Sequence, residues 1–277
     1  MAPNLYSRPD ASDPVGSPAP ADRYDAFLFD LDGVLFRGDA PIDGASKAVS
    51  ALRARGKRLA FVTNNSSRRP EAVAAHLRSV GIGADPGEVE TSALTTATLL
   101  VSRGTKTAFV VGEDGLRAAL ADAGIELADA RAEAVDAVVV GWDRQLTYAT
   151  LRDAAVFVQD GAALVATNAD ANYPAPDGHR WPGAGSILAA IETACETTAE
   201  VVGKPNAPLL QAALRRAGGG RPLLIGDRLD TDIEGARRLG WDSALVLTGI
   251  SSRADVVATG IQPTYVLEDL TRLLIPG

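Results

Sequence analysis

From Tyr24 onward the sequence alternates short β-branched or aromatic runs with longer amphipathic patterns, and this rhythm restricts the fold more than any other feature. "DAFLF" gives way to "GASKAVSALRARG", "RLAFV" to "RPEAVAAHLRSVG", and "TAFVVG" to "LRAALADAG". The beat resumes late in the chain with "NAPLLQAALRRAG", "PLLIG", "TDIEGARRLG" and "SALVLTG". Strand, helix, strand, helix predicts a parallel sheet covered by helices on both faces. No fixed-length repeat emerges, so a solenoid is excluded. A chain of 277 residues exceeds the usual single-domain size, which leaves one large α/β domain or a core with an inserted domain. The Gly/Pro-dense stretches "GIGADP" (81–86) and "WPGAGS" (181–186) bracket the middle block, and each reads equally well as a loop within one sheet. Residues 1–22, rich in Pro, Ala, Ser and Asp without apolar period, are expected to be a disordered tail.

Composition removes several function classes. With 27 Lys and Arg against 35 Asp and Glu, the net charge of -8 repels nucleic acid and anionic lipid, so neither is an expected partner. No apolar stretch approaches a membrane span and the first residues lack a signal-peptide pattern, which points to a cytoplasmic protein. The single cysteine, Cys195, sits in a helical pattern that buries it as a small apolar residue. Two histidines, His76 on a helical pattern and His179 in a loop, support neither a histidine phosphatase, a zinc site nor a Ser-His-Asp triad. "VVGEDGL" lacks the full dinucleotide fingerprint and reads as a strand-to-helix turn.

Ligands in open α/β sheets bind at the carboxyl ends of the strands. Four apolar runs here end in polar residues of matching chemistry: "FLF" in Asp30 and Asp32, "AFV" in Thr63, Asn64 and Asn65, "EVVG" in Lys204, and "LLIG" in Asp227. Each alone reads as a turn. Together they supply hard oxygen ligands for Mg2+, a hydroxyl and amides for phosphate oxygens, and a neutralising cation, the ingredients of phosphoryl transfer.

"DLDGVL", "VTNNS", "VGKP" and "GDRLDTDI", in this order, resemble the four motifs of the haloacid dehalogenase superfamily of aspartate-nucleophile phosphatases. Within it the chain resembles the branch that includes p-nitrophenyl phosphatases, phosphoglycolate and glycerol phosphate phosphatases, pyridoxal phosphatase and nucleotidases. The passage "NADANYPAPDGHRWPGAGS" is similar to that branch's return from cap to core. The interval from Thr63 to Lys204 holds a domain-sized block, whereas Asp32 to Thr63 has room for one helix and one strand, so a lid must follow the second motif. The expected architecture is a Rossmann-like catalytic core (23–85 and 183–277) with an inserted α/β cap (86–182).

The resemblance implies roles. Asp30 would be the nucleophile that forms an aspartyl phosphate, and Asp32 the acid and base that protonates the leaving alkoxide and later deprotonates water. Mg2+ would be held by an Asp30 oxygen, the Asp32 carbonyl and Asp227, with Asp232 orienting metal waters or Lys204. Thr63, Asn64, Asn65 and Lys204 would cradle the phosphate. Tyr173 matches the cap-loop position that meets the leaving group, its alternative being ordinary packing of an amphipathic ring. Asn168 and Asp170 are expected to shape that loop, Asp230 to be a solvated helix-start residue, and Ser186 to cap the helix after a hinge at "GAGS". The expected activity is Mg2+-dependent hydrolysis of small phosphomonoesters of the sugar or glycerol phosphate, phosphoglycolate or nucleotide type. Relatives often dimerise through the cap, which makes a homodimer an expectation. The alternative is a non-catalytic sensor of phosphorylated metabolites, against which the nucleophile and acid pair counts; C-halogen dehalogenation is disfavoured by Asp32.

Overall fold

The computed structural model describes residues 18–174 and 178–276. Residues 1–17, most of the expected tail, lie outside the described residues. The rest of that segment is ordered: Pro20–Arg23 form a short helix, α1, and the small side chain of Ala21 is buried in the same apolar cluster as Tyr24.

The chain then lays down β1 (Ala26–Phe29), a hairpin of β2 (Phe36–Arg37) and β3 (Ala40–Pro41), α2 (Ala45–Ala54), β4 (Arg58–Thr63), α3 (Pro70–Ser79) and β5 (Val89–Thr91). A second series follows, with α4 (Ser92–Ser102), β6 (Thr107–Val111), α5 (Asp114–Asp122), β7 (Glu126–Ala128), β8 (Ala137–Val140), α6 (Tyr148–Gln159) and β9 (Ala163–Ala166). A hairpin of β10 (Asn172–Pro174) and β11 (Arg180–Pro182) leads into α7 (Ala184–Cys195) and β12 (Glu200–Val201). The last stretch holds α8 (Ala207–Arg216), β13 (Pro222–Gly226), α9 (Glu234–Leu239), β14 (Asp242–Val246), α10 (Arg253–Thr259) and β15 (Tyr265–Leu267).

Among the described residues the strands form a six-stranded parallel sheet in the order β15-β14-β13-β1-β4-β5 and a five-stranded parallel sheet in the order β12-β9-β8-β6-β7. This is the α/β architecture with a Rossmann-like parallel core that the alternating pattern predicts. β1 is apolar throughout because both its faces are covered. Phe27 and Phe29 join Phe61 and Ile225 on one side, while Ala26 and Leu28 meet Leu209, Leu210 and Ala213 of α8 on the other. Each such large side chain taken from water contributes about 1.5–3 kcal/mol.

Strand order in the first sheet runs outward in one direction from β1 through β4 to β5, and in the other from β13 through β14 to β15. The reversal between β1 and β13 is a topological switch point, where flanking loops diverge and leave a crevice.

The two packing units divide at places other than the expected 86–182. Strand β5 pairs with β4, Phe61 opposite Val89, so Val89–Thr91 belong to the first sheet. At the far end Ile187, Leu188 and Ile191 of α7 pack with Phe109, Val138 and Phe157, and β12 pairs with β9. The elements around the second sheet therefore run from Ser92 to Val201. Gly and Pro mark turns whichever sheet the next element joins, and for this reason punctuation misplaced both boundaries.

Candidate active site

β1 and β13, on either side of the switch point, each end in an aspartate. Phe29 pairs with Ile225, so Asp30 and Asp227 leave their strands side by side. Asp30, Asp227 and Asp232 each offer a carboxylate oxygen within 4.8 Å of the others. Lys204, only 4% exposed, reaches into this group and donates from Nζ to Asp30 Oδ1 at 2.5 Å and to Asp232 Oδ1 at 2.7 Å. Burial works against the ammonium charge, yet Asp232 and Asp30 together hold its pKa above the ordinary lysine range. Asp227 is pushed up to about 8, first by burial and then by repulsion from Asp30 and Asp232. Three carboxylates share one lysine. A divalent cation fits that surplus of negative charge, and an all-oxygen donor set suits a hard ion. Asp227 is itself gripped by backbone: Ile250 N–H donates to its Oδ2 at 2.8 Å, and a Cβ on Gly249 would fall 2.0 Å from that oxygen. Sequence reading missed this loop; a glycine two residues after the apolar run "SALVL" was the available signal.

Asp32 stands where the chain turns into the β2–β3 hairpin. It is exposed to solvent. Protein atoms crowded round its carboxyl raise the pKa, while the nearby backbone N–H groups of Gly38 and Gly33 work in the opposite direction. A carboxyl raised in this way is suited to carry a proton. Gly33 has φ of +79 and its absent Cβ would lie 2.5 Å from Asp227 Oδ2, so a side chain is excluded there twice over.

The loop after β4 differs in part from expectation. Thr63 Oγ1 accepts from Asn65 N–H at 3.0 Å, which leaves its hydroxyl proton free to turn toward a phosphate. The Asn65 side chain shapes its own loop by accepting from Ser67 N and Oγ. The Asn64 side chain is fully engaged by protein groups. Its Oδ1 accepts from Lys204 N–H at 2.8 Å, and its Nδ2 lies 3.1 Å from both the Lys204 carbonyl and Asp170 Oδ2. Its carbonyl accepts from Ser92 Oγ and Asn168 Nδ2. Asn64 thus ties together the chain's passage into the second sheet, its return, and Lys204. Spacing could not reveal this, since the partners lie up to 140 residues away.

In the returning passage, Asp170 N–H donates to Asn168 Oδ1 at 3.0 Å, which gives both residues the loop-shaping part expected of them. Ser186 does not cap α7: the N-cap is Gly183, and Ser186 Oγ donates to the Ala171 carbonyl at 2.6 Å from inside the first turn. Asp230 is exposed and paired in bidentate fashion with Arg228, while Asp232 is fully buried with its second oxygen accepting from Arg228 N–H. Tyr173 is half-buried, its ring 4.4 Å from that of Trp142, whose other neighbour is the Arg144 guanidinium. Burial and then the charge of Asp32 raise the Tyr173 pKa. Cys195 is half-buried and donates to the Ala155 carbonyl. No helix among the described residues is long and apolar enough to cross a membrane.

Comparison with known proteins matches residues 27–126 to the haloacid dehalogenase-like hydrolase family and residues 201–273 to a second family described as HAD-hydrolase-like. An acid sugar phosphatase from Staphylococcus aureus is 36% identical over 255 residues, 91% of this chain and 97% of that protein. A glycerol phosphate phosphatase from Mycobacterium tuberculosis, solved in complex with magnesium, superposes with a TM-score of 0.87 at 38% identity, covering 93% of this chain and 78% of the other. A p-nitrophenyl phosphatase from Archaeoglobus fulgidus gives a TM-score of 0.84 at 29% identity over 91% and 98% of the two chains.

Proposed function

We propose, from the premise that the chain belongs to the haloacid dehalogenase-like hydrolases and is a phosphoric monoester hydrolase acting on small phosphoesters, that it works through an aspartyl phosphate with Mg2+. The observation that carries this reading is the meeting of Asp30 and Asp227 at the switch point with Lys204 between Asp30 and Asp232. A Mg2+ held by Asp30, Asp227 and the Asp32 carbonyl would neutralise carboxylate and phosphate charge and so let two anions approach. Relatives named for acid sugar, glycerol phosphate and nitrophenyl phosphate support a small sugar or polyol phosphate as substrate.

In the first half-reaction an Asp30 carboxylate oxygen forms a bond to phosphorus as the bond to the leaving oxygen breaks, and Asp32 gives that oxygen its proton. In the second, Asp32 takes a proton from water as the water oxygen bonds to phosphorus and the bond to Asp30 breaks. Inorganic phosphate leaves and both aspartates are regenerated. Lys204 and the Thr63 hydroxyl bind the phosphoryl oxygens, and the ion pair to Asp30 keeps the nucleophile aimed. Asn64 serves this cradle by fixing the Lys204 backbone rather than by touching phosphate with its side chain.

Phosphate release from a panel of phosphomonoesters, with and without Mg2+, tests the reading. Asp30→Asn should abolish turnover in a folded protein, because an amide is a poor nucleophile and a weaker ligand. Wild-type-like release from that variant would falsify the mechanism.

A further inference from the structure

We propose that His76 is a positioning residue that holds the β2–β3 hairpin, and through it Asp32, in place for proton transfer; the inference rests on the reading of Asp32 as acid and base. His76 belongs to α3, on a different element from every motif residue. Its side chain is 15% exposed, and its Nε2 lies 2.9 Å from the Gly38 carbonyl oxygen. A carbonyl can only accept, so the imidazole donates from Nε2. The ring edge also rests on Phe36, with centroids 4.5 Å apart at 85°.

These contacts matter because the hairpin they hold is bonded to the chain on both sides of Asp32. Phe36 forms a bridge with Asp32: its carbonyl accepts from Gly33 N–H at 2.8 Å and its N–H donates to the Leu31 carbonyl at 3.4 Å. His76 therefore holds the hairpin at the Phe36 ring and at the Gly38 carbonyl, and the Phe36 backbone in turn fixes the residues on both sides of Asp32. The hairpin has only two paired positions, Phe36 with Pro41 and Arg37 with Ala40, and a ribbon so short has little stiffness of its own. It must be pinned from outside. Elsewhere on the hairpin Arg37 donates to the Thr248 carbonyl, and Thr248 Oγ1 donates to the Gly33 carbonyl at 2.7 Å. Taking away His76 removes the hold from α3 and leaves that of Arg37 and Thr248, and the hairpin carries Asp32 off line from the leaving oxygen.

Misalignment of an acid is felt where protonation is most needed. A small displacement can cost up to about 100-fold in rate, and an alkoxide needs its proton far more than a nitrophenolate does. For His76→Ala we expect kcat on glycerol phosphate to fall about tenfold and kcat on p-nitrophenyl phosphate less than about threefold, with KM on both little changed. His76→Gln, whose amide nitrogen can stand where Nε2 stood, should restore the alkyl substrate. His76→Asn, polar but too short to reach, should not, and it repeats the test if the alanine variant fails to fold. Asp32→Asn, assayed beside them, should show the same substrate bias more strongly. If Asp32→Asn slows both substrates equally, the acid assignment fails and takes this inference with it. If Asp32→Asn keeps the bias while the His76 variants slow both substrates in proportion, or glutamine restores nothing, His76 is a packing residue and the inference alone is overturned.

Discussion

Lys204 shows at the level of a single side chain how the site is balanced. Its ammonium is buried between Asp30 and Asp232 with Asp227 close by. Removing one partner of a buried pair leaves its carboxylates uncompensated, typically at a cost of about 3–5 kcal/mol. Lys204→Met should therefore lose both turnover and a similar amount of stability, read by denaturant unfolding alongside phosphate release. A variant inactive yet as stable as wild type would mean that the carboxylates do not depend on the lysine. Tyr173 makes the complementary case. Phosphate contacts are common to every phosphomonoester, so discrimination falls to groups beyond phosphorus, and the half-buried Tyr173 ring, braced by Trp142, is the candidate. Tyr173→Ala should shift the kcat/KM ratio between two substrates by about 1–3 kcal/mol, as for one pocket contact. Proportional loss on all substrates would assign the ring to packing alone.

At the scale of elements, the loop between β14 and α10 does for Asp227 what the hairpin does for Asp32. Ile250 N–H holds the carboxylate, Ser251 N–H donates to the Asp227 carbonyl, and Ser251 Oγ accepts from Leu229 N–H. Helix α10 starts one residue later with a capping box: Ser252 Oγ accepts from Asp255 N–H and Asp255 Oδ2 from Ser252 N–H. Ser252→Ala should lower stability by about 1 kcal/mol, seen as a lower denaturation midpoint at unchanged slope. Gly249→Ala is a sharper probe, since its Cβ would lie 2.0 Å from Asp227 Oδ2 and the carboxylate must move. Its Mg2+ requirement for half-maximal activity should rise while the fold survives. An unchanged requirement would argue that Asp227 does not contact the metal.

Across the whole molecule, the loop after β4 plugs into the carboxyl end of the second sheet. Ser66 is fully buried, accepts from Thr167 Oγ1 at 3.1 Å, and would meet a Cβ on Gly141 at 2.6 Å. Gly115 at the start of α5 donates its N–H to the Ser67 carbonyl, and a Cβ there would fall 2.5 Å from Arg68 N. The crevice in which an open sheet of this kind would bind a ligand is thus filled by the first sheet's own loop. Gly115→Val sets a side chain against the Arg68 backbone and should cost about 1–3 kcal/mol, while lowering kcat/KM most on large substrates. Denaturation and assays on large and small phosphomonoesters would report it; a wild-type midpoint would show that the two units are not interlocked here.

The sequence by itself determined the parallel α/β architecture and the chemistry at the strand ends. Local hydrophobic period selects strand or helix, and a crossover topology leaves carboxylates such as Asp30 and Asp227 only one end of the sheet to occupy. Tertiary structure decided what depends on neighbours far along the chain. Asn64 carries the same amide wherever it points, and only packing brought Lys204 and Asp170 to its side chain and Asn168 to its carbonyl. His76 reads as one more polar residue of α3 until Gly38 arrives 38 residues away in sequence to accept its hydrogen bond. The division between the two units followed the same logic. Turn residues announce that the chain bends, but which sheet β5 or α7 then joins is settled by the apolar surface that it buries.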